Sequence, residues 1–124
     1  MCGIFGVILH PDSQFQKAKL RDLIDQMFLL SESRGKDSSG IVLVNDTDIK
    51  VFKRPQRARD MIKAREYKDL IGYFQNGAMP DNKSFVVMGH ARMVTNGSKE
   101  FHPNNQPVIK DGLVCIHNGI IVND

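Results

Sequence analysis

The sequence predicts an α+β sandwich with helices packed outside sheets. Two observations carry this. Apolar runs of strand length alternate with two longer helical stretches in the order β-α-ββ-α-β-β. The chain of 124 residues, 41% hydrophobic and 25% charged, shows no repeat, low-complexity tract or linker that would split it.

The elements follow in order. Cys2–Leu9 is a continuous apolar run that reads as a buried strand stopped by Pro11. Asp12 or Ser13 is placed to cap a helix whose Leu20, Leu23, Ile24, Met27 and Phe28 recur at steps of three and four. Gly35 ends that helix, and Ile41–Val44 forms a second buried strand. Asn45–Asp48 is a turn, and Ile49–Phe52 completes a hairpin. Gln56–Phe74 is helical in composition, with Met61, Ile62, Leu70 and Ile71 as packing residues; Asn76-Gly77 and Pro80-Asp81 break it. Ser84–Met88 and Leu113–Ile116 are further strands, separated by a polar loop from Thr95 to Gln106.

The net charge is +3, and the basic excess sits between Lys50 and Lys68 with Asp60, Glu66 and Asp69 interspersed. Mixed signs without an aromatic ladder read as a solvated helix face and argue against nucleic-acid binding. Cys2 and Cys115 have neither metal-ligand spacing nor a disulfide pattern, and no cofactor motif is present; a reduced, cytoplasmic setting is the expectation. The N-terminal apolar run lacks a basic flank and breaks at His10-Pro11, so it is neither a signal peptide nor a membrane span.

Cys2 is the residue with most chemical content. Methionine before a small residue is readily removed, which would leave a thiol and a free α-amine on one carbon. Their ordinary pKa values, about 8.5 and about 7.7–8.0, are matched, so one residue would supply both nucleophile and base. Taken alone, Cys2 reads rather as an ordinary buried thiol at a strand start.

Three polar clusters interrupt the apolar segments: Arg34-Gly35-Lys36-Asp37-Ser38-Ser39-Gly40, Gly89-His90-Ala91-Arg92-Met93-Val94-Thr95 and His117-Asn118-Gly119. Each falls at a strand end, where sites on sheet scaffolds sit. Separately they have ordinary explanations: turn glycines at Gly35 and Gly40, a surface charge at Arg92, a hairpin turn at Asn118-Gly119.

With the Cys2-Gly3-Ile4-Phe5-Gly6 start, these motifs together resemble the glutaminase domain of class II glutamine amidotransferases. The branch they look most like contains glucosamine-6-phosphate synthase and amidophosphoribosyltransferase. The resemblance runs from that start to His117-Asn118-Gly119-Ile120-Ile121. It implies an N-terminal nucleophile hydrolase fold, a four-layer αββα sandwich, of which residues 1–124 would be the N-terminal portion. It implies hydrolysis of L-glutamine to glutamate and ammonia through a Cys2 γ-glutamyl thioester. Asn118 and Gly119 would form the oxyanion hole, a donor pair of which each member is worth about 10²–10³ in rate. Arg92 would bind the glutamine α-carboxylate with its guanidinium fork, with Thr95 beside it and His102, of a His-Pro pair, in a supporting role. His90 and His117 would orient the strand ends, and Cys115 would pack in the core. The implied partner is an acceptor (synthase) domain or subunit that uses the ammonia; a homo-oligomer is compatible.

Three departures stand beside the resemblance. Family domains are longer and place an Asp downstream that binds the substrate α-amine; Asp124 is too close to Gly119 for that role, so an incomplete domain with uncovered apolar surface is expected. Met93 stands where many relatives carry an aromatic residue. With Met1 retained, the Cys2 nitrogen is an amide, which favours a non-catalytic, amino-acid-binding or scaffold domain. A basic nucleic-acid-binding module is the third reading, and it leaves the four motifs unexplained.

Overall fold

The computed structural model describes residues 1–78, 84–95 and 97–119. The described residues form an α+β structure with two antiparallel sheets. The larger holds β1 (Gly3–Leu9), β2 (Ser38–Val44), β3 (Ile49–Arg54) and β4 (Phe85–Arg92) in the order β1-β4-β2-β3. The smaller is a hairpin of β5 (Val108–Lys110) and β6 (Leu113–Cys115). Three helices cover one face of the larger sheet: α1 (Leu20–Ser31), α2 (Ala58–Met61) and α3 (Arg65–Tyr73).

Alternation along the strands decides which side chains meet the helices. Phe5, Ile41, Leu43, Phe85 and Val87 face Leu20, Ile24 and Phe28 of α1, with Met61, Tyr67, Ile71 and Phe74 closing the core. Phe28 is its centre, edge-on to Phe5 at 4.7 Å and to Tyr67 at 6.2 Å between ring centroids. Tyr67 is fully buried and satisfies its hydroxyl by donating to Asp25 Oδ1 at 2.5 Å. Burial raises the Asp25 carboxyl, and the Tyr67 phenol is raised as well, first by burial and then by that bond.

Several expectations are corrected. Asp12 and Ser13 do not cap α1. The Ser13 N–H closes a turn on His10 O at 2.9 Å, and a 3-10 turn, Lys17–Lys19, leads into the helix at Leu20. The single helix expected over Gln56–Phe74 is two helices followed by a π turn, Phe74–Ala78. Met61 and Tyr67 both enter the core, yet six residues of continuous helix would set them about 120° apart around the axis; the break after Met61 re-phases the second helix. Asn76-Gly77 lies in the π turn, and the Pro80-Asp81 breaker falls outside the described residues.

Gly35 and Gly40 are not turn glycines but sites of close approach. A Cβ on Gly40, inside β2, would overlap the Gln106 carbonyl and Pro107; one on Gly35 would overlap the backbone of Ala91 and Arg92. Cys115 does not pack in the core. It is exposed on the β5–β6 hairpin, as are Ile109 and Leu113, because no described layer covers that hairpin. On the sheet face opposite the helices, Ile4, Ile8 and Ile49 are also exposed, compatible with an incomplete domain.

Candidate active site

The sheet register gathers the motifs at one end. Gly3 pairs with Ala91 and Ser38 with Arg92, so the start of β1, the start of β2 and the end of β4 lie side by side. The antiparallel order therefore places Cys2, Asp37 and Met93 next to one another. The Asp37 N–H donates to Arg92 O at 3.0 Å, and its carboxylate Oδ2 accepts from the Val94 N–H at 2.8 Å. This pair of bonds fixes the chain where it leaves β4.

The fourth cluster arrives from the far end of the chain. Asn118 Oδ1 accepts a hydrogen bond from the Cys2 N–H at 2.9 Å, across 116 residues of sequence. Cys2 Sγ lies 3.8 Å from Met93 O. Cys2, Asn118, Gly119, Thr95, Met93 and Met1 line a cavity of about 310 Å³. The Met1 α-ammonium sits 3.5 Å from the Sδ of Met93, which shares the lining with it. A volume near 300 Å³ is at the small end for ligand sites and suits an amino acid.

Arg92 ends β4, next in sequence to the cavity-lining Met93; it is 8% exposed, and its Nη1 donates to Asn105 Oδ1 at 2.9 Å. His102 is exposed in a 3-10 turn, His102–Asn104, away from the lining of this cavity; its carbonyl accepts the Asn105 N–H at 3.1 Å. Of the expected site residues, the structure thus joins Cys2, Thr95, Asn118 and Gly119 in one cavity, and that lining includes neither Arg92 nor His102.

His90 is 1% exposed on β4, and neither ring nitrogen has a hydrogen-bond partner among the described residues. Burial pushes its pKa down to about 4, the nearby His117 backbone opposes this, and Arg92 and His117 charges add to it. The ring is therefore neutral around pH 7.

Segment 105–107 was not legible as part of a site. Lys53 Nζ, half-buried on β3, donates to Asn105 O at 2.7 Å and Pro107 O at 3.0 Å, and burial lowers its pKa. The Gln106 side chain pairs with both backbone groups of His117, Oε1 accepting from the N–H and Nε2 donating to the carbonyl at 3.0 Å. No local sequence pattern marks these residues, because their role is set by distant partners.

The basic run is largely engaged. Arg54 meets Glu66 at 3.3 Å, Arg57 meets Asp60 at 2.8 Å and Arg65 meets Asp69 at 3.6 Å. Arg59 meets the buried Glu32 at 2.6 Å. A hollow of about 620 Å³ beside Lys68, Gly72 and Tyr73 has no tie to the four motifs. Among the described residues, no group of three or more His, Cys, Asp or Glu assembles to hold a metal ion. No described helix is long and apolar enough to cross a membrane.

The chain is homologous to glutamine-using synthases whose N-terminal domain is the class II glutamine amidotransferase domain. It is 30% identical over 125 residues to the glutamine–fructose-6-phosphate aminotransferase (isomerizing) of Staphylococcus aureus strain Mu50, and 28% identical over 124 residues to that of Staphylococcus epidermidis strain RP62A. In each case 99% of this chain and 18% of the relative are covered, so the chain spans less than a fifth of those proteins. No family model matches the chain, and no solved structure does.

Proposed function

We propose that residues 1–124 form the N-terminal portion of a glutaminase domain with the N-terminal nucleophile hydrolase αββα architecture, releasing ammonia from L-glutamine for an acceptor domain or subunit. The observation that carries this is the meeting of Cys2 with Asn118 at 2.9 Å over a cavity of amino-acid size.

The chemistry follows from the residues. Removal of Met1 takes one residue from the cavity lining and turns the Cys2 nitrogen into an α-amine. That amine takes the thiol proton, directly or through one water, and the sulfur attacks the side-chain amide carbon of glutamine. The oxyanion so formed is met by Asn118 Nδ2 and the Gly119 N–H, while Asn118 Oδ1 holds the amine in place. Collapse expels ammonia, which takes the proton from the α-amine, and leaves a thioester. Water then adds to the thioester; its proton returns to sulfur through the amine, and glutamate departs. Arg92 takes the substrate α-carboxylate, Thr95 adds a hydroxyl beside it, and His102 supports the loop.

The test is glutamate release. Processed protein should hydrolyse glutamine, and Cys2→Ala should abolish it; no release from processed protein ends this reading. One observation favours a second reading, a non-catalytic amino-acid-binding domain: Met1 fits against Met93 and helps line the cavity. An intact mass that includes methionine supports it, and a mass short by one methionine supports the enzyme.

A further inference from the structure

We infer that Asn105 and Gln106 are separate positioning residues, Asn105 for the substrate-carboxylate anchor and Gln106 for the oxyanion donors. The inference rests on the glutaminase reading, which assigns those roles to Arg92 and to Asn118 with Gly119.

The two residues are neighbours in sequence but bind different partners, Asn105 the Arg92 side chain and Gln106 the His117 backbone. Their segment is fixed to the sheet from below. Lys53 binds the carbonyls of Asn105 and Pro107, and the missing Cβ of Gly40 lets the Gln106 backbone press against β2.

Asn105 is 1% exposed and uses both ends of its carboxamide, Oδ1 on Arg92 and Nδ2 on Lys99 O at 2.6 Å. A guanidinium fork binds a carboxylate well only when its plane is fixed, and Asn105 supplies a fixed acceptor on one nitrogen. Shortening Asn105 removes that constraint, and the loss falls on substrate binding.

Gln106 acts as a detached piece of strand. Its carboxamide closes a two-bond ring with the His117 peptide groups, as a neighbouring strand would. His117 precedes the two oxyanion donors. Anchoring its N–H and carbonyl restricts how far Asn118 and Gly119 can swing from Cys2. Donors misplaced by a fraction of an ångström lose value only where charge develops, so this loss falls on the chemical step.

The experiment compares Asn105→Ala, Gln106→Ala and Gln106→Glu with wild type in the full chain. It measures steady-state glutaminase kinetics and hydrogen exchange at the His117 amide. Asn105→Ala should raise KM about tenfold with kcat within about threefold. Gln106→Ala should lower kcat by about 10–100-fold with KM within about threefold. It should also speed His117 exchange about tenfold or more. Gln106→Glu keeps the acceptor for the His117 N–H and should recover part of that protection.

A uniform fall in kcat for both alanine variants, or unchanged His117 exchange in Gln106→Ala, overturns the assignment. Inactive wild type sinks the glutaminase reading instead, and exchange at His117 then decides the Gln106 contact alone.

Discussion

His90 gives a quantitative prediction on stability against pH. The ring is buried and lacks hydrogen bonds among the described residues, so the fold holds it neutral, with a pKa near 4 against an ordinary 6.5. The unfolded chain therefore binds this proton before the folded chain does. Above pH 6.5 both states carry a neutral ring, and His90 makes stability independent of pH. As pH falls from 6.5 to 4, the unfolded state is favoured by up to about 1.4 kcal/mol per pH unit. The total at pH 4 is about 3 kcal/mol. Carboxylates protonate in the lower part of the same range, so the assay must be a difference. Urea unfolding from pH 8 to pH 4 should be run on wild type and on His90→Leu, which is close in volume and removes both unpartnered nitrogens. The stability difference, variant minus wild type, should rise by about 3 kcal/mol over that range, almost all of it below pH 6.5. At pH 8 the two proteins should differ little, since the only polar interaction of the ring that the substitution gives up is with the His117 backbone. Parallel curves for the two proteins would refute the reasoning.

Three other substitutions test separate parts of the structure. Phe28→Ala opens a cavity between Phe5 and Tyr67 and should cost about 3–5 kcal/mol in urea unfolding. Gly40→Ala forces a methyl into the Gln106 carbonyl and should cost about 1–3 kcal/mol, read as a lower urea midpoint. Asn118→Ala removes the anchor of the Cys2 nitrogen and, on the proposed glutaminase function, one oxyanion donor; it should lower kcat for glutamine hydrolysis by about 10²–10³ with the fold intact by circular dichroism.

The parts legible in the sequence were those specified locally. The apolar run after Cys2, the three-and-four spacing from Leu20 to Phe28, and the turn between Ile41–Val44 and Ile49–Phe52 each declare an element without help from distant residues. The interruption between Met61 and Arg65 did not, because no glycine or proline marks it; the demand that Met61 and Tyr67 both reach the core imposes it from outside. Cys115 misled for a related reason. Its short apolar strand has the composition of a core strand, but burial depends on a covering layer, and no described element supplies one. The site shows the same division. Cys2, Arg92, Thr95, Asn118 and Gly119 stood out because four motifs together resemble one family; singly, their residue types had ordinary readings. Asn105, Gln106 and Lys53 matter through partners 11 to 54 residues away, visible only once the chain is folded.

The most direct test is covalent labelling by a glutamine analogue with an electrophilic side chain, located by peptide mass after digestion. Cys115 is the more accessible thiol, so simple chemical reactivity would favour it. The account predicts stoichiometric modification at Cys2, slowed by added glutamine and lost in Asn118→Ala, with Cys115 unmodified. Labelling that falls on Cys115, or on Cys2 without protection by glutamine, would contradict it.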